Sequence, residues 1–201
     1  TGHCRPTAGS IRLRGREVGK APTRKRVAMG VARTFQNLLL FEDQTAYENV
    51  VFGAFLDWLH GGKGEHSRSA AARLRAARTD AYLASFGLDD VRDRPVCDLP
   101  YATKKRVELA RALMANPSVL ILDEPTAGLG ESDRANFMAV LEQAQAEHGF
   151  ALMIVAHDMD VIFRLCSNIY VLDYGKVIAT GPPERIRNNA LVREIYLGGD
   201  E

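Results

Sequence analysis

Two carboxylates stand side by side at positions 123 and 124, and their neighbours give the pair a chemical meaning. They end the apolar run Val119 to Leu122 and lead into Pro125, Thr126, Ala127 and Gly128. An apolar run of this kind reads as a strand buried in a parallel sheet, and open α/β sheets bind ligands beyond the carboxyl ends of such strands. There Asp123 is suited to hold Mg²⁺, directly or through water. Glu124 is suited to polarise a water for in-line attack on a phosphoryl group. An Asp-Glu pair after a strand is common; the unbroken run LILDEPTAGL from Leu120 to Leu129 is far more specific.

Two further positions suit the same chemistry. A helix beginning near Ala102 presents free N–H groups and the positive end of its dipole, which favours a phosphate and serves equally as an ordinary helix start. His157 follows a second apolar run, Ala151 to Ala156, where an imidazole N–H can be donated. A lone histidine is more often structural.

The elements that must position these groups follow from periodicity and punctuation. Strands are expected at Ser10–Arg14, Val31–Phe35, Val119–Leu122, Ala151–Ala156, Ile169–Leu172 and Val177–Ala179. Helices are expected at Thr23–Gly30, from Thr45 to about Leu59 with Glu48 completing a capping box, and at Ser67–Phe86, Tyr101–Ala115, Ser132–Glu147, Met159–Leu165, Pro183–Asn188 and Leu191–Leu197. Gln36–Gln44 reads as a loop, and Gly61, Gly62 and Gly64 mark a break. The runs at 119–122 and 151–156 are apolar on both faces, as in strands covered by helices on each side. The fold class is therefore α/β with a parallel sheet. Residues 45–115, almost purely helical, interrupt it as an inserted subdomain between 1–44 and 116–201.

These motifs, in this order, resemble the ATP-binding subunits of ABC transporters. LILDEPTAGL resembles their Walker B motif and D-loop. Arg33 to Asn37 (RTFQN) resembles the Q-loop, Leu99 to Leu113 the signature motif and its helix, Ile154 to Asp158 the switch segment, and Tyr170–Lys176 with Gly181–Ile186 the closing strands and helices. The resemblance spans essentially the whole chain and implies a P-loop NTPase core working on ATP and Mg²⁺. In it, Gln36 reaches the metal and the attacking water, Asp123 holds the metal, Glu124 activates water and His157 contacts the γ-phosphate. Pro100, Tyr101, Ala102 and Thr103 serve the ATP of the opposite subunit. The implied partners are a second ATPase subunit, the same or different, and transmembrane permease subunits, at the cytoplasmic face of the membrane. RTFQN, the Leu-Pro-Tyr at 99–101, and the IRNN and YLG stretches near the C-terminus are similar to the branch that powers uptake of branched-chain amino acids.

Three departures qualify that resemblance. No G-x-x-x-x-G-K-S/T loop occurs, and Gly61-Gly62-Lys63-Gly64 lacks the preceding strand such a loop needs. The first residues resemble the segment just after the P-loop helix, so the core is expected to be incomplete at its N-terminus and the chain inactive alone. Ala102 stands where the signature usually has Gly, and Gly130 where the D-loop usually has Asp or Asn.

Composition narrows the alternatives. With 201 residues, 46% apolar and 25% charged, the chain can bury a core. Its longest apolar runs fall far short of the roughly 18–20 residues a membrane span needs. Cys4, Cys97 and Cys166 form no CxxC pair, and nothing completes a metal set around His3 and Cys4. Residues 1–33 carry nine basic side chains against Glu17 alone, although the whole chain is near neutral at +1. That arm leaves open a nucleic-acid ATPase of the same superfamily, but no aromatics interleave to stack bases and no nucleic acid is expected. An inactive fragment that retains only partner-binding surfaces, or an importer of urea or short peptides, are the other readings.

Overall fold

The computed structural model describes residues 2, 4–35, 37–54 and 65–198. The chain forms two units, Thr1–Met153 and Ile154–Glu201.

The first unit opens with a short hairpin, β1 (Arg12–Leu13) against β2 (Arg16–Glu17). Its turn places Arg14 at φ 48° and Gly15 at φ 76°, the left-handed pair that matches strand twist. Only the first strand is expected from sequence, because Arg16 and Glu17 carry no apolar alternation. Helix α1 (Thr23–Ala28) ends at Met29 and Gly30, the latter at φ 89°, and β3 (Val31–Arg33) comes next.

Strand β3 runs parallel to β4 (Val119–Asp123), with Val31 opposite Val119, Ala32 opposite Leu120 and Arg33 opposite Ile121. Strand β5 (Ala151–Val155) lies on the other side of β4, and the Ala151 N–H donates to the Ser118 carbonyl at 3.0 Å. The parallel sheet is as expected. The expectation that both apolar strands are covered on each face is corrected for β5: its residues alternate, and Met153 and Val155 are 55% and 50% exposed. An apolar run does not state which of its faces has a neighbour.

Helix α2 spans Ala46–Phe52, and Gly53 and Ala54 turn away; the rest of the longer helix expected to about Leu59, and the glycine break after it, lie outside the described residues. The capping box forms. Thr45 Oγ1 accepts from the Glu48 N–H at 3.1 Å and Glu48 Oε2 accepts from the Thr45 N–H at 2.8 Å. These bonds hold the Glu48 carboxyl below its ordinary pKa. Helix α3 (Glu65–Ser85) and helix α4 (Tyr101–Met114) both pack against α2. The expected stripe of α4, Val107, Ala110, Leu113 and Met114, is buried. Its last carbonyls are satisfied from α3, Leu113 by the Tyr82 hydroxyl at 3.3 Å and Met114 by Arg78. Two single turns at Asp89–Val91 and Val96–Asp98 lead into α4. Helix α5 (Glu131–His148) ends on Gly149 in the left-handed region.

In the second unit, helix α6 (Met159–Leu165) is capped by Asp158, whose Oδ1 accepts from the Asp160 N–H at 3.1 Å. Strands β6 (Ile169–Asp173) and β7 (Lys176–Gly181) form a hairpin turned by Tyr174 and Gly175. Helices α7 (Pro183–Arg187) and α8 (Ala190–Val192) close it over Ile162, Ile169, Val171, Ile186 and Val192. No helix among the described residues is long and apolar enough to cross a membrane.

Candidate functional site

The register of β3 on β4 builds the first part of the site. Arg33 is paired with Ile121, and Asp123 lies two residues beyond Ile121, so Arg33 and Asp123 share one face of the sheet. Arg33 Nη2 donates to Asp123 Oδ2 at 2.6 Å, with the two side chains 28% and 29% exposed. Phe35, two residues beyond Arg33, lies on the same side, and the guanidinium sits 4.8 Å from its ring centroid. The Thr34 N–H donates to the Ile121 carbonyl at 3.0 Å and keeps the chain paired beyond the strand.

Glu124 leaves the strand at φ 48°, an uncommon conformation for a residue with a side chain. The turn after it is fixed by the Ala127 N–H to the Glu124 carbonyl at 3.2 Å, with Pro125 and Thr126 buried beneath. Backbone strain of this kind clusters at functional positions.

Pro100 is extended (φ −57°, ψ 150°) and hands the chain to α4 with no side-chain cap and no acid in the first turn. The N–H groups of the first turn therefore keep the dipole's positive end. Tyr101 is exposed, Ala102 half-buried and Thr103 buried. The Lys105 ammonium lies 5.6 Å from the Tyr101 ring centroid. The same ring approaches Gly128, so the start of α4 and the loop after Glu124 meet within one chain.

Beneath β3 and α4 lies a cavity of about 290 Å³ whose walls include Val31, Arg33, Phe35, Phe41, Phe52, Glu108 and Arg111. Phe41 and Phe52 meet edge to face at 4.7 Å and are both exposed at the rim; Leu39, two residues before Phe41, is exposed as well. Glu108 is 4% exposed, and its Oε1 has no hydrogen-bond partner. Burial pushes its carboxyl above the ordinary value; Lys105, Arg111 and the N–H groups of Phe35 and Leu39 offset part of that. Burial also lowers Arg111, partly offset by Glu108.

Of the residues expected from sequence, Asp123, Glu124 and Pro100–Thr103 lie in the first unit. His157 lies in the second, exposed, immediately before the cap of α6. Gln36 lies outside the described residues. Arg33 and Glu108 carry no role in the sequence reading, yet one neutralises the candidate metal ligand and the other lines the cavity. Nothing in a single chain of letters marks a pair 90 positions apart, though a parallel register between two expected strands would have placed Arg33 opposite the run before Asp123. Among the described residues no group of three or more His, Cys, Asp or Glu gathers to hold a metal. Asp123 alone, at the end of β4, is a donor set that would fit Mg²⁺ only where phosphates and water supply its other ligands.

Residues 1–127 match the ABC transporter family, and residues 176–201 match the family described as branched-chain amino acid ATP-binding cassette transporter. The chain is 34% identical to the high-affinity branched-chain amino acid transport ATP-binding protein BraF of Pseudomonas aeruginosa, over 98% of this chain and 79% of that protein. It is 32% identical to LivG of Escherichia coli with the same coverage. It is also 29% identical to the lipopolysaccharide export ATP-binding protein LptB of Haemophilus influenzae, over 98% and 77%. Among solved structures, the ATP-binding cassette MJ1267 shares the fold with a TM-score of 0.80 at 23% identity, over 98% of this chain and 79% of that one. The cbiO1 protein of Clostridium perfringens aligns with a TM-score of 0.77 at 29% identity, over 98% and 75%.

Proposed function

The chain belongs to the ABC transporter family of ATP-binding subunits, and from that premise we propose that it energises an importer of branched-chain amino acids. One observation carries the cargo assignment: the C-terminal residues 176–201 match the family of branched-chain cassettes, separately from the match of residues 1–127 to ABC transporters at large.

The roles follow from the chemistry of each group. Mg²⁺ arriving with ATP neutralises phosphate charge. Asp123 and Gln36 are the residues to hold it, Asp123 from the carboxyl end of β4. Glu124, one residue on, accepts a proton from the attacking water. His157 donates to the γ-phosphate. Pro100, Tyr101, Ala102 and Thr103 offer the uncapped first turn of α4 to the ATP of a second subunit, of the same or another chain. The exposed Phe41 and Phe52 beside the cavity, with Leu39 exposed close by in the chain, suit a short helix of a membrane subunit, in keeping with a position at the cytoplasmic face of the membrane. In this reading residues 1–44 and 116–201 supply the ATP-binding core and 45–115 the helical subdomain.

The test is ATP-driven uptake by the assembled transporter, with radiolabelled leucine, urea and a dipeptide offered in turn. Leucine accumulation supports the reading; turnover with accumulation of only urea or dipeptide overturns the cargo.

A further inference from the structure

We propose that Arg33 is a counter-ion latch on Asp123, released when a divalent cation takes the carboxylate. The inference rests on the reading of Asp123 as the metal-holding residue. Three observations and one electrostatic argument carry it. The contact is short, 2.6 Å from Nη2 to Oδ2, and both partners are mostly withdrawn from water, so it is a strong charge-assisted bond rather than a screened surface pair. It joins the carboxyl ends of two adjacent parallel strands, where ligands of such sheets bind, and not a remote rim. A dication on the same carboxylate would stand within a few ångströms of the guanidinium, and like charges at that range in a partly buried site repel. Finally, the guanidinium lies 4.8 Å from the centre of the Phe35 ring while it holds Asp123, so an aromatic contact remains to it when the carboxylate is taken by a cation.

The consequence reaches further than the metal. Thr34 remains tied to Ile121 through its N–H, so release moves the Arg33 side chain and not strand β3. Arg33 and Phe35 both line the cavity under the apolar rim. Cation capture at Asp123 therefore changes the wall of the groove in which a membrane subunit is expected to dock. A guanidinium that served to orient the carboxylate for the cation would instead raise cation affinity, and its removal would then weaken binding.

The experiment uses Mn²⁺ alone as probe, on the 201-residue chain, with affinity from electron spin resonance of free Mn²⁺ and its location from paramagnetic broadening of amide signals in 33–35 and 121–124. Wild type, Arg33→Gln, Asp123→Asn and the double variant are compared, each first checked for native circular dichroism. Arg33→Met, which keeps the apolar stem, replaces the Gln variant if that one fails to fold. The expected result is Mn²⁺ affinity about tenfold tighter in Arg33→Gln, a gain abolished by Asp123→Asn. Asp123-dependent binding that is equal or weaker in Arg33→Gln overturns the latch and leaves Asp123 a metal ligand. Mn²⁺ binding with no dependence on Asp123 in any variant overturns the latch together with the metal-site reading.

Discussion

A methyl group on Gly128 would stand 3.1 Å from Cε1 of Tyr101, tighter than side chains normally approach. The glycine is also at φ 78°, so any other residue there is strained twice. Gly128→Ala is expected to cost about 1–2 kcal/mol and to displace the Tyr101 ring from the start of α4. Urea unfolding measures the first effect and Tyr101 ring chemical shifts the second. Gly130 provides the contrast. It caps α5 with no side-chain bond, has open space around it, and lies at φ −66°. Gly130→Asp is expected to stabilise by a few tenths of a kcal/mol by supplying the missing cap.

Asn49 lies in helix α2 and is fully buried. Its Oδ1 accepts from the Phe41 N–H at 2.9 Å, and its Nδ2 donates to the carbonyls of Phe41 and Thr45 at 3.0 Å. It therefore pins the loop that carries the apolar rim. Asn49→Ala is expected to cost about 2–3 kcal/mol, since it strips partners from buried backbone groups. Hydrogen exchange at Phe41 should accelerate along with the loss of stability; unchanged protection there would separate the rim from this clamp.

Glu108 sets a pH dependence. Its carboxyl is raised above 4.5 by burial, against the charges of Lys105 and Arg111 and the N–H groups of Phe35 and Leu39 that face it. The folded chain therefore holds this proton more tightly than the unfolded chain. Stability contributed by the protonated form falls as pH rises from the ordinary carboxylate value through the raised one. Glu108→Gln mimics the neutral form and should flatten this part of the curve. Unfolding free energies of both proteins across the acidic to neutral range provide the measurement, and parallel curves would exclude Glu108 as the source.

How much of the fold and the site is legible in the sequence depends on whether the information is local. Helix α6 falls on the expected 159–165 because an Asp cap and an amphipathic turn pattern lie side by side in the chain. Strand β4 and helix α4 match because an apolar run and a 3.6-residue stripe are strong local signals. Strand β5 reads as doubly covered because its apolarity is identical whether or not a neighbour lies on each face. Strand β2 is two charged residues defined only by pairing with β1. At the site, LILDEPTAGL identifies Asp123 and Glu124, while Arg33 and Glu108 acquire meaning only from packing: Arg33 from strand register, Glu108 from a cavity formed by segments distant in the chain.

Glu124 is strained and has a proposed chemical role, so its substitutions should separate the two. With φ at 48°, a residue bearing a Cβ is disfavoured, and a glycine is not. If the residue were purely structural, evolution of stability alone would favour glycine at that position. Glu124→Gly is expected to leave folding stability unchanged or to raise it by up to about 1 kcal/mol. In the assembled transporter the same substitution, like Glu124→Gln, should retain ATP binding and lower turnover by about 10²–10⁴-fold, the range for a general base. The opposite signs distinguish a catalytic carboxylate from a structural one. A Glu124→Gly variant that loses stability and hydrolyses ATP at the normal rate would assign the strained turn to architecture and remove Glu124 from the chemical step. Equal loss of binding and turnover in Glu124→Gln would place the carboxylate in nucleotide or metal retention instead, because an isosteric amide removes the proton acceptor and the charge but preserves the shape of the turn.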